Sequence, residues 1–257
     1  MFERIAQYIS QADAASSPLQ WMLFLWQKYA GMFLEGTLVT LYVSISGTLG
    51  GFVLGLCIGL IQDAGNGSKE GIFGRALLGA GQFAVKIYVE LFRGTPMIVQ
   101  GMVIYYGLRQ ANIAISPLMA GIVVTVLNTG AYMAETVRSG IGSISTGQRE
   151  GALAMGLSAT RTMLHVILPQ AVKNTLPEMG NMFLTNLKMT SVLNVIGVSE
   201  LFYMAKTAGG SYYKYFEAYL VIALIYLVLC FVVSRMLAWL ERKLAGKSDY
   251  TLAAEYM

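Results

Sequence analysis

The stretch GTLVTLYVSISGTLGGFVLGLCIGLI, residues 36–61, decides the fold class, because its 26 residues carry no charge. About 20 mostly apolar residues suffice to cross the hydrocarbon core of a bilayer as a helix. The rest of the chain agrees, since 56% of its 257 residues are hydrophobic and 12% are charged, against about a quarter charged in soluble domains. The sequence therefore predicts an all-α integral membrane protein.

Four further apolar segments predict membrane-spanning helices. Residues 110–134 and 218–240 are long enough by themselves. Residues 76–108 are interpreted as one long, partly amphipathic helix, and residues 179–199 as one helix with Lys188 in its middle. With the opening stretch, the sequence predicts five transmembrane helices.

The basic residues predict the orientation. An odd number of helices places the two termini on opposite sides of the membrane. With the N-terminus outside, twelve of the 18 Lys and Arg residues lie in inner loops and five lie outside. The excess of basic residues in cytoplasmic loops therefore predicts a cytoplasmic C-terminus.

The chain divides into three predicted regions. Residues 1–30 have no apolar signal-peptide core and are interpreted as an interfacial amphipathic segment without a cleaved signal. Residues 31–245 form one transmembrane domain, and residues 246–257 form a cytoplasmic tail.

Four glycines spaced four residues apart lie in the first predicted helix. Small residues at this spacing share one helix face and let two backbones approach closely in lipid. The pattern favours packing within the chain, with a seam between two copies as the alternative. The residues are Gly47, Gly51, Gly55 and Gly59.

The predicted cytoplasmic loop 139–169 is much longer than a simple connection requires. Its composition is helical, Gly151 and Gly156 permit close contact or a sharp turn between two short helices, and Pro169 is expected to end the element before the next span. Glu150 and Arg161 offer charge. We interpret the loop as a docking element for a soluble partner, with a merely solvated amphipathic loop as the alternative.

The residues of this loop resemble a known motif. Glu150-Gly151-Ala152, three residues, Gly156, nine residues and then 166–169 (VILP) are similar to the EAA motif of bacterial ABC-importer permeases, E-A-A-x3-G-x9-I-x-L-P. The chain departs from it at Gly151 and Val166. Flanking stretches resemble the polar amino-acid subfamily, which imports histidine, glutamine, glutamate or arginine: LFRGTPMIVQ (91–100), GAYMAETVRSGI (130–141), LPQAVKNTLPEMGN (168–181) and LKMTSVLNVIGVSEL (187–201).

The resemblance, which covers about residues 30–241, implies the architecture and the partners. It implies a five-helix core of the methionine-importer type in the bacterial cytoplasmic membrane, paired with a second permease subunit, identical or homologous. Two ATP-binding cassette subunits would bind beneath it, and an extracytoplasmic solute-binding protein would deliver the substrate for transport by alternating access. By position, the contact with the ATPase falls to Glu150, Gly151, Ala152, Gly156 and Arg161.

The chain itself lacks a nucleotide-binding motif. The segment Gly246-Lys247-Ser248 has Glu241 where a phosphate-binding loop requires its first glycine. ATP hydrolysis is therefore expected from a partner subunit, and this chain is expected to bind no cofactor and to catalyse no reaction. No nucleic-acid partner is expected.

Polar residues within the predicted spans are candidates for a substrate pathway, because ionisable groups at membrane depth are costly and usually face a cavity, a partner or each other. A zwitterionic amino acid needs acceptors for its ammonium and donors for its carboxylate, and the set supplies both. Positions at the membrane interface or structural pairing are the alternatives. The candidates are Arg93, Asn128, Tyr132, Glu135, Asn181, Asn186 and Lys188.

The sequence offers no metal site and leaves three other functions as alternatives. The single histidine and two cysteines do not form a metal-site pattern, so no metal is expected. Another small polar solute, such as an opine or cystine, fits the same architecture. An ATPase-independent channel or a membrane enzyme is the remaining alternative, and the spans hold no cluster of catalytic side chains that favours an enzyme.

Overall fold

The computed structural model describes residues 17–63 and 72–245, which are helical almost throughout. The helices are α1 (Pro18–Asp63), α2 (Ile72–Gly94), α3 (Met97–Gln110), α4 (Pro117–Gly142), α5 (Thr146–Ala154), α6 (Ala159–Thr162), α7 (Leu168–Met189), α8 (Leu201–Gly210) and α9 (Tyr215–Ala245). A π-helical turn, Met163–Ile167, precedes α7, and a 3-10 segment, Thr190–Ile196, follows it. The predicted tail, residues 246–257, and residues 1–16 of the predicted interfacial segment lie outside the described residues.

Within the described residues, three helices are long and apolar enough to cross a membrane: α1, α4 and α9. The three correspond to the predicted spans 36–61, 110–134 and 218–240. Helix α1 also includes residues 18–30 and is kinked at Tyr29, whose backbone is not helical (φ −116°, ψ 15°).

The second predicted span is not one continuous helix. Helix α2 ends at Gly94 and α3 begins at Met97, because Pro96 has no N–H to continue the helical hydrogen bonding. The single helix expected through residues 76–108 is therefore interrupted at Pro96, a residue type that can kink or unwind a helix.

The third and fourth spans are displaced from their predicted bounds. Helix α4 begins at Pro117, where the Ser116 hydroxyl accepts a hydrogen bond from the Met119 amide (3.2 Å), and a proline suits a first turn. Helix α7 begins at Leu168, so Pro169 lies in its first turn and does not end the preceding element. The helical path runs through the π-helical turn into α7, and Gly197 (φ +86°) ends the 3-10 segment.

The closest helix pair is α1 with α4, and the four-residue glycine spacing is the reason. A Cβ atom at Gly47 would lie 2.2 Å from Thr125, and one at Gly51 would lie 2.5 Å from Thr129. A Cβ atom at Gly59 would lie 2.7 Å from Val137. The prediction that this face packs within the chain is confirmed.

The remaining helices surround this pair. Helices α8 and α9 pack on the first half of α1 around Leu25, Phe33 and Leu201. Helix α3 and the 3-10 segment pack on the other side around Val43 and Val124. Helix α7 contacts the last turns of α4, where Ala171 packs with a cluster that includes Val137, Ile141 and Ile167.

Candidate functional site

An open groove with a volume of about 580 Å³, called the cavity below, lies between the last turns of α4 and the middle of α7. Its walls carry both signs of charge, from Glu135 and Arg138 on α4 and Glu178 on α7. Hydroxyl and amide side chains complete the lining: Thr136, Ser139, Ser143, Asn174 and Thr175. Such a lining offers donors and acceptors to one small polar solute.

The carboxylate of Glu135 is the centre of a charge cluster at this cavity. Its Oε2 lies 2.9 Å from Nη2 of Arg138 and 3.8 Å from Nη1 of Arg93. The Arg93 guanidinium also lies over the ring of Tyr132, 5.6 Å from its centroid, in a cation–π contact. The three predicted pathway residues Arg93, Tyr132 and Glu135 therefore lie together.

The position of Arg93 follows from the break between α2 and α3. The Nε2 atom of Gln100 donates hydrogen bonds to the main-chain oxygens of Phe92 (2.9 Å) and Thr95 (2.8 Å). The first bond satisfies the carbonyl that Pro96, which has no N–H, leaves without a helical partner, and the second satisfies a carbonyl at the break between the helices. The break is thus a fixed bend that holds Arg93 at the end of α2.

Asn128 supports the same bend. Its Nδ2 donates to Oε1 of Gln100 (2.9 Å), and the main-chain oxygen of Phe92 lies 3.5 Å from the same atom. Gln100 is buried and was not among the residues expected from the sequence. A glutamine in an apolar run four residues after a proline is the signal that would have found it.

Asn186 lies between α7 and the α1–α4 pair and does not line the cavity. Its Nδ2 lies 2.9 Å from Oγ1 of Thr48 on α1 and 3.0 Å from Oγ1 of Thr129 on α4. All three side chains are buried. Asn186 therefore joins α7 to the α1–α4 pair by hydrogen bonds.

Two other predicted pathway residues lie on the exposed face of α7. Asn181 is exposed, with its Nδ2 3.5 Å from Oε2 of Glu178, so it borders the cavity. Lys188 is also exposed, near the end of α7 and outside the cavity lining.

Residues 139–169 contain two short helices, α5 and α6, separated by a tight turn. Gly156 has φ +88° in this turn, and its amide donates to the carbonyl of Leu153 (2.9 Å). Ala152 is the one buried residue of α5, while Glu150 and Gly151 are exposed. Arg161 is exposed on α6.

The loop and the cavity share a boundary. Ser143, the residue that follows α4, lines the cavity and starts the path to α5. Its hydroxyl accepts a hydrogen bond from Asn174 of α7 (3.2 Å). Displacement of the loop would therefore move a wall of the cavity.

Residues 71–246 match the model of the family described as binding-protein-dependent transport system inner membrane component. The chain belongs to this family. It is thus an inner-membrane component of a transport system that depends on a binding protein, as the resemblance of its loop motif predicted.

Two curated relatives are similar over most of their length. The glutamine transport system permease protein GlnP of Escherichia coli (strain K12) is 35% identical over 215 residues, which is 83% of this chain and 93% of that protein. The arginine transport system permease protein ArtQ of Bacillus subtilis (strain 168) is 34% identical over 82% of this chain and 91% of that protein.

Two solved structures share the fold. A crystal structure of an amino acid ABC transporter with histidines matches with a TM-score of 0.74 and 34% identity, over 84% of this chain and 95% of that one. An inward-facing MetNI methionine ABC transporter matches with a TM-score of 0.67 and 21% identity, over 89% of this chain and 99% of that one. The permease-type fold is therefore confirmed.

Proposed function

We propose that this chain is the transmembrane subunit of an ATP-driven importer of a polar amino acid. The observation that carries the proposal is the cavity between α4 and α7, whose charged and hydroxyl lining suits a zwitterion and whose rim includes the first residue of the loop between α4 and α5. Relatives that are 34–35% identical and named for glutamine and arginine transport support the substrate class.

The proposed membrane arrangement has five crossings: α1, α2 with α3, α4, α7 with the 3-10 segment, and α9. The N-terminus lies outside and the C-terminus lies in the bacterial cytoplasm, in accord with the twelve basic residues of the predicted inner loops. Residues 18–30, the part of α1 before and around its kink, would lie at the outer side of the membrane in this arrangement.

The proposed partners follow from the same arrangement. The polar residues Tyr132, Asn181 and Lys188 are exposed, and polar side chains in lipid are costly. A second permease subunit would shield these side chains, and the cavity between α4 and α7 would open onto the pathway between the two subunits. An extracytoplasmic binding protein would deliver the substrate.

Transport would be driven by two ATP-binding cassette subunits that contact the exposed side of α5 and α6. Glu150, Gly151, Gly156 and Arg161 are the proposed contact residues, whereas Ala152, also expected there from the sequence, is buried on the side that faces the rest of the chain. Closure of the ATPase pair would displace this segment and switch the cavity from inward-open to outward-open. In this scheme the chain binds no ATP itself and catalyses no reaction.

The proposal is tested with the chain co-purified with its ATPase in liposomes, together with the cognate binding protein and a panel of amino acids. We expect ATP-dependent uptake of one polar amino acid. Uptake of an opine or cystine instead would keep the architecture and change the substrate, while uptake without the ATPase would indicate a channel. Absence of ATP-dependent uptake for every solute would overturn the proposal.

Glu135→Gln tests the cavity itself. The variant removes the negative charge that would attract the substrate ammonium and also the anionic partner of Arg93 and Arg138. A charge-assisted hydrogen bond contributes about 1.5–3 kcal/mol, so the substrate concentration needed for half-maximal uptake should rise about tenfold or more. Glu135→Asp keeps the charge and should retain part of the activity. Glu90→Gln, an exposed carboxylate 3.9 Å from Lys86, is the matched control. Equal uptake by the Gln variant and the control would remove Glu135 from the pathway.

A further inference from the structure

One ion pair joins the end of α1 to the loop helix α5. The Nη2 atom of Arg149 lies 2.9 Å from Oδ2 of Asp63, the last residue of α1. The two side chains are 32% and 16% exposed, so the pair is more shielded than an ordinary surface ion pair. Arg149 thereby connects two elements that are 86 residues apart in the sequence.

The side of α5 on which Arg149 lies is the side that faces the rest of the chain. Arg149 is half-buried and Ala152, one turn later, is buried, whereas Glu150, Leu153 and Ala154 are exposed. Residues three apart share a helix face. Arg149 therefore lies opposite the surface that is open to a cytoplasmic partner.

The end of α1 that receives Arg149 is held on two other sides. Gln82 of α2 extends its Nε2 to the main-chain oxygens of Ile61 (3.4 Å) and Gln62 (3.3 Å). The glycine face fixes α1 against α4, because a Cβ atom at Gly55 would lie 2.4 Å from Met133. If the Asp63 carboxylate is displaced, α1 would therefore move together with the helices packed on it, and the end of α1 would not move alone.

The covalent chain connects α5 to α4 at one end and, through the Gly156 turn and α6, to α7 at the other. Helix α5 has no direct covalent connection to α1, because α2, α3 and α4 lie between them in the chain. A Cβ atom at Gly156 would meet nothing within 4 Å, so packing does not brace the turn at this position. The ion pair supplies a third attachment, which limits rotation of α5 about its two covalent ends.

We propose that Arg149 and Asp63 form a positioning pair that transmits movement of α5 to α1 and its bound helices. The inference rests on the proposed function, because it assigns to the pair a part in coupling ATP hydrolysis to transport. Without the pair, α5 would still contact the ATPase, but its displacement would reach α1 only indirectly, through α4 and α7.

The test compares variants in the reconstituted complex with its ATPase and binding protein. Asp63→Asn and Arg149→Gln each remove one charge, and the double variant Asp63→Arg with Arg149→Asp exchanges them. Lys173→Gln, an exposed basic residue on α7, is the control for loss of positive charge. Co-purification of the ATPase, ATP hydrolysis and uptake are measured for each variant.

We expect both single variants to co-purify with the ATPase and to lower uptake per ATP hydrolysed about fivefold or more. The exchanged pair should recover at least half of the wild-type ratio, and the control should match wild type. If the exchanged pair does not assemble, the conservative variants Asp63→Glu and Arg149→Lys replace it and should keep at least half of that ratio.

Two results would overturn the inference. A defect in Arg149→Gln but not in Asp63→Asn would indicate that Arg149 contacts the ATPase directly. An assembled exchanged pair, or its conservative replacements, with no recovery would exclude a role for the ion pair. Failure of the proposed function is distinguishable from both, because wild-type protein itself would then show no ATP-dependent uptake.

Discussion

Glycine serves two different purposes at the α1–α4 contact and at the turn between α5 and α6. A Cβ atom at Gly55 would lie 2.4 Å from Met133 Cβ and 2.8 Å from the backbone nitrogen of Ala134. A Cβ atom at Gly156 would meet nothing within 4 Å, but the backbone there has φ +88°. At Gly55, only glycine leaves enough room between the two helices. At Gly156, glycine is favoured because L-residues rarely adopt the backbone dihedral angle found there.

The difference predicts which region tolerates change. Two helices in lipid are held by close packing, since lipid tails are as apolar as the helix surfaces. Any side chain at Gly55 separates the backbones, whereas a side chain at Gly156 has room and costs only local strain. Substitution should therefore impair assembly of the membrane domain at Gly55 and coupling at Gly156.

The largest effect is expected for Gly55→Val. Its side chain collides with backbone atoms that cannot rotate away, and overpacking of this kind costs about 3 kcal/mol. We expect little monodisperse protein after extraction and a lower midpoint of thermal unfolding, measured by fluorescence-detected size-exclusion chromatography. Gly79→Ala is the control, because a Cβ atom at Gly79 meets nothing within 4 Å. Equal yields of the two variants would contradict the packing explanation.

An intermediate effect is expected for Gly156→Val. A β-branched residue at positive φ costs about 1–2 kcal/mol, and the turn should open to relieve it. We expect normal insertion but weaker co-purification of the ATPase. Asn adopts positive φ more readily, so Gly156→Asn should retain more binding than Val. Similar binding by both variants would show that the dihedral angle is unimportant.

The smallest effect is expected for Gly151→Ala, which restores the alanine of the family motif. Gly151 lies inside α5 with nothing within 4 Å of an added Cβ atom, and alanine favours a helix by about 0.5–1 kcal/mol over glycine. ATPase binding should be unchanged or slightly stronger. A marked loss of binding would indicate that the partner packs directly against the Gly151 backbone.

Much of the fold was predictable because it depends on local patterns. Long uncharged runs predicted helices in α1, α4 and α9, and four-residue glycine spacing predicted a close contact within the chain. The sequence did not predict the bounds of α7, since Pro169 is compatible with either the end or the first turn of a helix. In the structure the π-helical turn Met163–Ile167 continues directly into α7, which places Pro169 in the first turn of that helix.

The candidate site was predictable only in part. Tyr132 and Glu135 were expected as polar residues near membrane depth and Arg93 from its place in the stretch LFRGTPMIVQ, and the structure brings the three together. Asn128 and Asn186 were selected by the same rule, but their amides bind Gln100 in one case and Thr48 and Thr129 in the other. A polar residue within an apolar run looks the same in the sequence whether its side chain faces a cavity or another helix.

The sequence by itself determined the membrane environment, the helical class and the resemblance of the loop between α4 and α7 to a family motif, because these depend on composition and on spacing along the chain. Only the tertiary structure decided which residue of α4 lies against each glycine of α1, that α2 and α3 bend around Gln100, and that Asp63 meets Arg149. These contacts join residues far apart in the sequence, and their formation depends on the packing of every helix between them.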